Sequence, residues 1–184
     1  MNDVLKAIAQ RNSCRNFSPN PISKTQVDAL VNAALAAPSA MNLQPWHIIV
    51  VTNKKLLEEM DSHAMETLKD QNPDAYKRMS DRGGTIFYNA PCVIFIAKND
   101  SHFATLDCGI VSQNITLAAH SMGLGSVICA MANIPLTGTQ GEQFKAQIKM
   151  PEGYSFGMAV CVGTPITGKE PHELDHSKVT YIGE

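Results

Sequence analysis

Two histidines near the C-terminal end of the sequence have the spacing of a zinc site. Residues 172–176 read HELDH and match H-E-x-x-H, the pattern that places two histidines one helical turn apart. A zinc peptidase also needs a buried helix and a third ligand further along the chain. Here Pro171 directly precedes the pattern, eight residues follow it, and the segment is nearly all polar. A solvated tail explains the pattern better, and we expect no metal site.

A second group of chemically useful residues follows the first predicted helix. In RNSCR, the side chains of Arg11, Ser13 and Arg15 occur at every second position. In an extended chain they would all face the same way. Two guanidinium groups and a hydroxyl suit a phosphate, which arginine binds with two parallel hydrogen bonds. Ordinary surface charges would have the same spacing, so spacing alone leaves both interpretations open.

A third stretch, APSAMNLQPW at 37–46, joins a predicted helix to a predicted buried strand. Ser39, Asn42 and Gln44 supply hydrogen-bond donors and acceptors, and two prolines restrict the backbone. These residues suit a planar polar ligand. The alternative is a plain connection between helix and strand, which does not need ten such residues.

Composition limits the classes of function. The 184 residues, 44% of them apolar, are enough for one domain with a substantial core. A net charge of −2 without any run of lysine or arginine argues against a nucleic-acid surface. No apolar run approaches the roughly 18 residues of a membrane helix, and the N-terminus does not read as a signal peptide. We therefore expect no nucleic acid or membrane partner, and the cytoplasm as the compartment.

Apolar periodicity predicts helices that alternate with buried strands. Helix signals include Asn2 as an N-cap, a capping box from Ser23 to Gln26, and Pro38 as a stop. The predicted helices cover 2–10, 22–38, 53–71, 103–122 and 141–149, and the predicted strands cover 47–52, 92–97, 126–131 and 155–163. This alternation predicts a sheet covered on both faces, in a three-layer α/β domain. The tail at 164–184 is polar until VTYI at 179–182.

Several of these motifs, taken in order, resemble the nitroreductase family of FMN flavoproteins. The N-terminal signature is RNSCRNF followed, about twenty residues later, by APSAMNLQPWHIIVV. The likeness continues in APCVIFIAK, LDCGIVSQNITLAAHSMGLGSVICAM, GMAVCVGTP and KVTYI. It therefore covers nearly the whole chain, and no single motif carries it.

The resemblance implies roles for individual residues in binding FMN. Arg11, Asn12, Ser13 and Arg15 match the family's Arg-x-Ser-x-Lys/Arg cluster. Its first members hold the FMN phosphate and ribityl chain in the family, and its last member reaches the pyrimidine edge of the flavin.

Further cofactor-binding residues are implied elsewhere in the chain. Pro38, Ser39 and Asn42 match the loop that the second subunit places against the flavin. Ala130 and Met131 match a peptide at a strand end that approaches flavin N5, where Met131 replaces a usual glycine. In the tail, Lys169 and His172 are the candidates for the phosphate contacts that Lys and Arg make in the family.

The implied fold is α+β, nitroreductase-like, with a central mixed β-sheet flanked by helices. We expect one domain over 1–184, whose C-terminal arm at 164–184 crosses to the partner of a homodimer. VTYI, rich in strand-forming residues, is the candidate for the exchanged strand.

The implied activity is an FMN-dependent oxidoreductase. By a ping-pong mechanism it would transfer electrons from NAD(P)H to a small electron-poor acceptor such as a nitroaromatic, quinone or enone. The chemistry would occur on FMN, so no catalytic side chain is expected. An FMN-binding protein with another role, such as flavin handling, remains the alternative.

Overall fold

The computed structural model describes residues 2–138, 140–168 and 170–183 of the chain. Its α-helices are α1 (Asp3–Gln10), α2 (Lys24–Leu35), α3 (Lys54–Gln71), α4 (Pro73–Ser80), α5 (Ala104–Ser121) and α6 (Gly141–Gln147). Its strands are β1 (Trp46–Val51), β2 (Cys92–Lys98), β3 (Gly125–Ile128) and β4 (Ser155–Gly163). None of the described helices is both long enough and apolar enough to cross a bilayer.

The helix start signals of the sequence are confirmed. The Asn2 side chain accepts a hydrogen bond from the backbone N–H of Leu5 at 2.9 Å. Ser23 and Gln26 form the reciprocal capping box, since each side chain accepts from the other residue's backbone N–H. Helix α4 was not predicted, although Asn72 caps it and Pro73 occupies its first turn.

The four strands form one sheet in the order β1-β2-β4-β3, and every neighbouring pair is antiparallel. This corrects the expectation of a mixed sheet for the residues that the structure describes. Parallel pairing occurs there as the single bridge between Ser13 and Ser126. Because β2 and β4 occupy the centre, β1 and β3 are the two edges.

Hydrophobic cores lie on both faces of the sheet, as predicted. Alternate residues of β2 face opposite sides, with Phe95 in one core and Ile96 in the other. Helices α2 and α5 cover one face with Leu30, Ala34, Val111, Ile115 and Ala119. Helices α3 and α6 cover the other face, together with a 3₁₀ helix at Ala130–Leu136.

The C-terminal arm leaves the sheet after β4 and is exposed at every described residue from Thr164 onward. Its first residues are fastened by the Ser18 N–H, which donates to the Thr164 carbonyl at 2.8 Å, and by the Ile166 N–H, which donates to Asn16. Residues 179–182 form no strand within this chain, and the Ile182 side chain is 96% exposed.

A buried carboxylate ties α3 to the segment before β2. Asp61 is 8% exposed and accepts hydrogen bonds from the backbone N–H groups of Ile86 at 2.7 Å and Phe87 at 3.1 Å. Burial raises the pKa of Asp61 from 3.8 to about 6, although both hydrogen bonds oppose the shift. The ionised carboxylate therefore lowers stability. This loss of stability is absent below about pH 4, because Asp61 is then protonated in both the folded and the unfolded state. It reaches its full size above about pH 6, where Asp61 is ionised in both.

We predict that Asp61→Asn removes this pH dependence. The amide oxygen can still accept both N–H groups, but it carries no charge to desolvate. Between about pH 4 and pH 7 the variant should gain up to roughly 3 kcal/mol over the wild type in unfolding free energy. Urea denaturation at a series of pH values measures this difference. Asp70→Asn, at an exposed site on the same helix, is the control, and parallel profiles for Asp61→Asn and wild type would contradict the prediction.

Candidate functional site

The residues between α1 and α2 run along the β3 edge of the sheet. The Cys14 N–H donates to the Ser126 carbonyl at 2.9 Å, and Phe17, 3% exposed, pairs with Pro165. These contacts bury Cys14 and leave Ser13 half-buried and Arg15 exposed. The bridge between Ser13 and Ser126 makes this stretch extended at Ser13, and the common orientation of Arg11, Ser13 and Arg15 stays a prediction.

Two adjoining hollows share the polar residues of this stretch. The larger, of about 570 Å³, is lined by Ser13, Cys14, Arg15, Asn16, Arg82, Thr167 and Gly168. The smaller, of about 220 Å³, is lined by Arg11, Asn12, Cys14, His120, Gly123, Leu124, Gly125, Ser126, Pro165, Thr167 and Gly168. Because both include Cys14, Thr167 and Gly168, they form one continuous depression, which we call the arginine groove.

Positive charge accumulates in the arginine groove although the chain is slightly acidic. Arg11, Arg15 and Arg82 make no ion pair with another described residue. Every ion pair among the described residues involves a lysine instead. Three guanidinium groups around one depression repel each other and create a potential that attracts an anion. The groove therefore fits a phosphate-bearing ligand by the chemistry of its donors.

The Tyr88 ring packs against the guanidinium group of Arg15. The guanidinium carbon of Arg15 lies 5.9 Å from the centroid of the Tyr88 ring, which is a cation–π contact. Tyr88 is 9% exposed, and both it and Asn89 have left-handed backbone, with φ of 56° and 57°. Such conformations cost energy for non-glycine residues and concentrate at functional sites. Here the strained turn brings the ring against the arginine.

The loop from Pro38 to Gln44 is the second candidate stretch, and it is rigid. The Gln44 N–H donates to the Ser39 hydroxyl oxygen at 2.9 Å, and the Gln44 side chain donates to the Asn42 side-chain oxygen at 2.9 Å. Met41, Asn42 and Gln44 have φ of 52°, 55° and 46°, all left-handed. Three such residues in one short loop need external support. The loop is therefore held in a shape that its sequence would not adopt alone.

Within one chain the two stretches lie at opposite ends of α5. The Asp107 carboxylate in the first turn accepts from the Ala40 N–H at 3.3 Å, whereas His120 in the last turn lines the arginine groove. Thirteen residues of α-helix separate these two positions by about 20 Å. The structure therefore does not bring the two predicted stretches into one site within a single chain.

Two further predicted positions lie outside the strand in which they were expected. Ala130 and Met131 were expected at the end of a strand, but β3 stops at Ile128 and they begin the following 3₁₀ helix. Their location is fixed through Cys129, whose thiol donates to the Ile86 carbonyl at 3.3 Å. They therefore lie near the segment that carries Tyr88.

The predicted tail contacts are the least defined part of the site. Lys169 lies outside the described residues. His172 is exposed and makes no hydrogen bond to another described residue. The start of the arm does reach the groove, through Thr167 and Gly168.

The HELDH stretch does not have the geometry of a zinc peptidase. Residues 172–175 form no helix, and His176 begins a short 3₁₀ helix that ends at Lys178. Both histidines are exposed. In the part of the chain that the structure describes, no three His, Cys, Asp or Glu side chains gather where they could hold a metal ion.

Sequence reasoning missed Arg82, Tyr88 and His120. Arg82 follows α4, which was not predicted, and precedes Gly83 and Gly84. That pair of glycines was the available signal for a helix end. His120 lies in the last turn of a correctly predicted helix, but only the fold brings it next to Arg11.

The sheet covered by helices on both faces makes this chain an α+β protein, and the cationic groove at one edge of the sheet suits an anionic ligand. Residues 8–164 match the model of the nitroreductase family. The chain belongs to this family.

Solved and curated relatives agree with this membership. A nitroreductase with bound FMN from Desulfitobacterium hafniense DCB-2 is 40% identical, with a TM-score of 0.96 over 100% of both chains. A relative from Methanothermobacter thermautotrophicus, whose name includes NAD(P)H nitroreductase, is 35% identical over 68% of this chain, and the match spans 59% of its own length. The FMN reductase [NAD(P)H] of Bacillus subtilis is 28% identical over 100% of this chain and 76% of its own.

Proposed function

We propose that this protein is an NAD(P)H-dependent FMN oxidoreductase that reduces small electron-poor acceptors such as nitroaromatics, quinones or enones. The observation that carries the proposal is the arginine groove, whose arginines have no acidic partner among the described residues. Family membership and the FMN-bound relative from Desulfitobacterium hafniense support it.

The groove offers matching groups for each part of FMN. Arg11, Asn12 and His120 line the small end, where a phosphate would fit, and Ser13 lines the larger hollow beside it. Arg15, held by Tyr88, would meet the pyrimidine edge of the flavin and place a fixed positive charge there. When bound, FMN would supply the redox chemistry, accepting a hydride from NAD(P)H and passing electrons to the acceptor. Donor and acceptor would enter the same open hollow in turn, which is a ping-pong order.

The active unit would be a homodimer, because the two ligand-binding stretches of one chain are about 20 Å apart. A second copy could place its Pro38–Gln44 loop against the arginine groove of the first. Each site would then take its arginines from one subunit and its rigid loop from the other.

Exposed apolar side chains supply a surface for this dimer. Helix α1 buries none of its residues and exposes three apolar side chains, Val4, Leu5 and Ile8. Helix α5 exposes Leu106 and Ile110, one turn apart, next to Phe103. Burial of such residues against a second copy would remove apolar surface from water.

The C-terminal arm would complete the sheet of the partner. Edge β3 is already contacted through Ser126, whereas the outer edge of β1 borders a hollow of about 460 Å³ beside Ile148 and Lys149. An open edge with unpaired backbone groups accepts an added strand. We therefore assign VTYI at 179–182 of one copy to the β1 edge of the other.

The test of the proposed function is spectroscopic. The purified protein should carry FMN, NAD(P)H should bleach the flavin absorbance, and a quinone should restore it. Arg11→Ala should weaken FMN binding about ten- to a hundredfold by calorimetry, because a charge-assisted contact to phosphate is lost. Lys69→Ala, at an exposed position on α3 outside the groove, is the matched control. Bound FMN that NAD(P)H cannot bleach would favour a flavin-handling role, and unchanged affinity in Arg11→Ala would refute the phosphate contact.

We predict that removal of residues 164–184 abolishes dimerisation and FMN binding together. The arm supplies the added strand, and without it the β1 edge stays open and promotes aggregation. Thr180→Pro should act similarly without shortening the arm, because proline cannot donate to a strand ladder. Size-exclusion chromatography with light scattering, monitored at protein and flavin wavelengths, measures both properties. Removal of only 183–184 is the control, and a truncated protein that stays dimeric and yellow would contradict the prediction.

A further inference from the structure

We infer that Arg82 forms an anion subsite in the larger hollow of the arginine groove, which Arg15 also lines, and selects acceptors that carry a carboxylate or another negative charge. This inference rests on the proposed function and adds the charge class of the acceptor. Neither the cofactor contacts nor the dimer requires Arg82.

The backbone of Arg82 is fixed, although its side chain is exposed. At the end of α4 the N–H groups of Arg82 and Gly84 both donate to the Met79 carbonyl, at 3.0 Å and 2.9 Å. The Gly83 N–H donates to the Ser80 carbonyl at 3.2 Å, and Gly83 has a φ of 105°. This is a Schellman closure, in which glycine takes the positive φ after the helix. Since Met79 is 3% exposed, the turn that carries Arg82 is anchored in the core.

The three arginines carry one positive charge more than the phosphate of oxidised FMN, which has up to two negative charges near neutral pH. The cofactor has one phosphate, which Arg11 would meet, and one pyrimidine edge, which Arg15 would meet. Arg82 lines the same hollow as Arg15 and makes no ion pair with any described residue. An additional guanidinium beside Arg15 is disfavoured by repulsion unless an anion is also present. A second negatively charged ligand would supply it.

The size of the hollow indicates that the second negative charge belongs to the electron acceptor and not to NAD(P)H. Arg82 and Arg15 line the same hollow of about 570 Å³, a volume within the range of small-molecule sites, so one small ligand could contact both. A carboxylate on an aromatic acceptor is one ring away from its reacting group. The phosphates of NAD(P)H are separated from the nicotinamide by at least a ribose. A compact anionic aromatic therefore fits the spacing better.

The experiment compares two acceptors of similar size, the anionic para-nitrobenzoate and the neutral para-nitrobenzamide, and follows the change in their ratio between wild type and variant. In Arg82→Gln the ratio of their kcat/KM values should fall about fivefold, as expected for an exposed ion pair, with para-nitrobenzamide unaffected. Arg82→Glu should lower the ratio further, and added salt should lower it in the wild type. Arg78→Gln, at an exposed position on α4, should leave the ratio unchanged.

Binding without turnover separates this inference from the proposed function. Calorimetry of benzoate and benzamide needs no redox reaction, and Arg82→Gln should weaken benzoate alone. An unchanged benzoate affinity and acceptor ratio would overturn the inference. So would loss of FMN from Arg82→Gln, which would make Arg82 a cofactor ligand. A raised KM for NAD(P)H with para-nitrobenzamide as acceptor would assign Arg82 to the donor instead.

Discussion

The rigid length of α5 is the constraint on which the rest of the site depends. This helix is packed against α2 and the sheet, and the Asn114 side chain donates to the Ala33 carbonyl at 3.0 Å. Asp107 at one end holds the ligand loop, and His120 at the other end lines the arginine groove. Rearrangement of side chains cannot shorten an α-helix, so this distance keeps the two stretches apart within one chain. The distance supports the proposed dimer, in which they would meet between two copies.

Both halves of the proposed site are held in place by contacts within the chain. The Pro38–Gln44 loop keeps three left-handed residues in place through hydrogen bonds to Ser39, Asn42 and Asp107. The Arg15 guanidinium rests on Tyr88, itself in a left-handed turn. Strain of this kind lowers the stability of the folded chain. Its benefit is that these residues lose little further conformational entropy when a ligand binds. The turn that carries Arg82 is likewise held in place, and Arg82 lines the larger hollow of the groove.

Elements with strong local signals were predictable from the sequence. The capping box at Ser23, the apolar run of β2 and the periodicity of α5 each reflect contacts within a few residues. Helix α4 was missed because it begins directly after α3 and is polar on most of its surface. The antiparallel order of the sheet depends on long-range pairing, which periodicity does not encode. Ala130 and Met131, which begin the 3₁₀ helix at Ala130–Leu136, were read as the end of a strand because they are apolar, although Pro135 follows within the helix.

The residues of the candidate site were predictable where they lie close together in the sequence. Arg11, Ser13 and Arg15 are close in sequence, so alternation alone suggested their shared face. Arg82 and His120 reach the groove only through the packing of α4 and α5, and no local pattern marks them. Resemblance to the nitroreductase family supplied the cofactor and the dimer, which spacing did not.

Subunit complementation tests the shared site most directly. One chain would carry Arg11→Ala and the other Asn42→Ile, a β-branched residue that cannot easily adopt the left-handed φ of 55° at this position. With two affinity tags, the mixed dimer can be purified away from both homodimers. If each site combines the arginines of one chain with the loop of the other, the mixed dimer has one intact site. It should then bind half the FMN of the wild-type dimer, while both variant homodimers bind little. A mixed dimer as poor in FMN as the two homodimers would contradict the shared site.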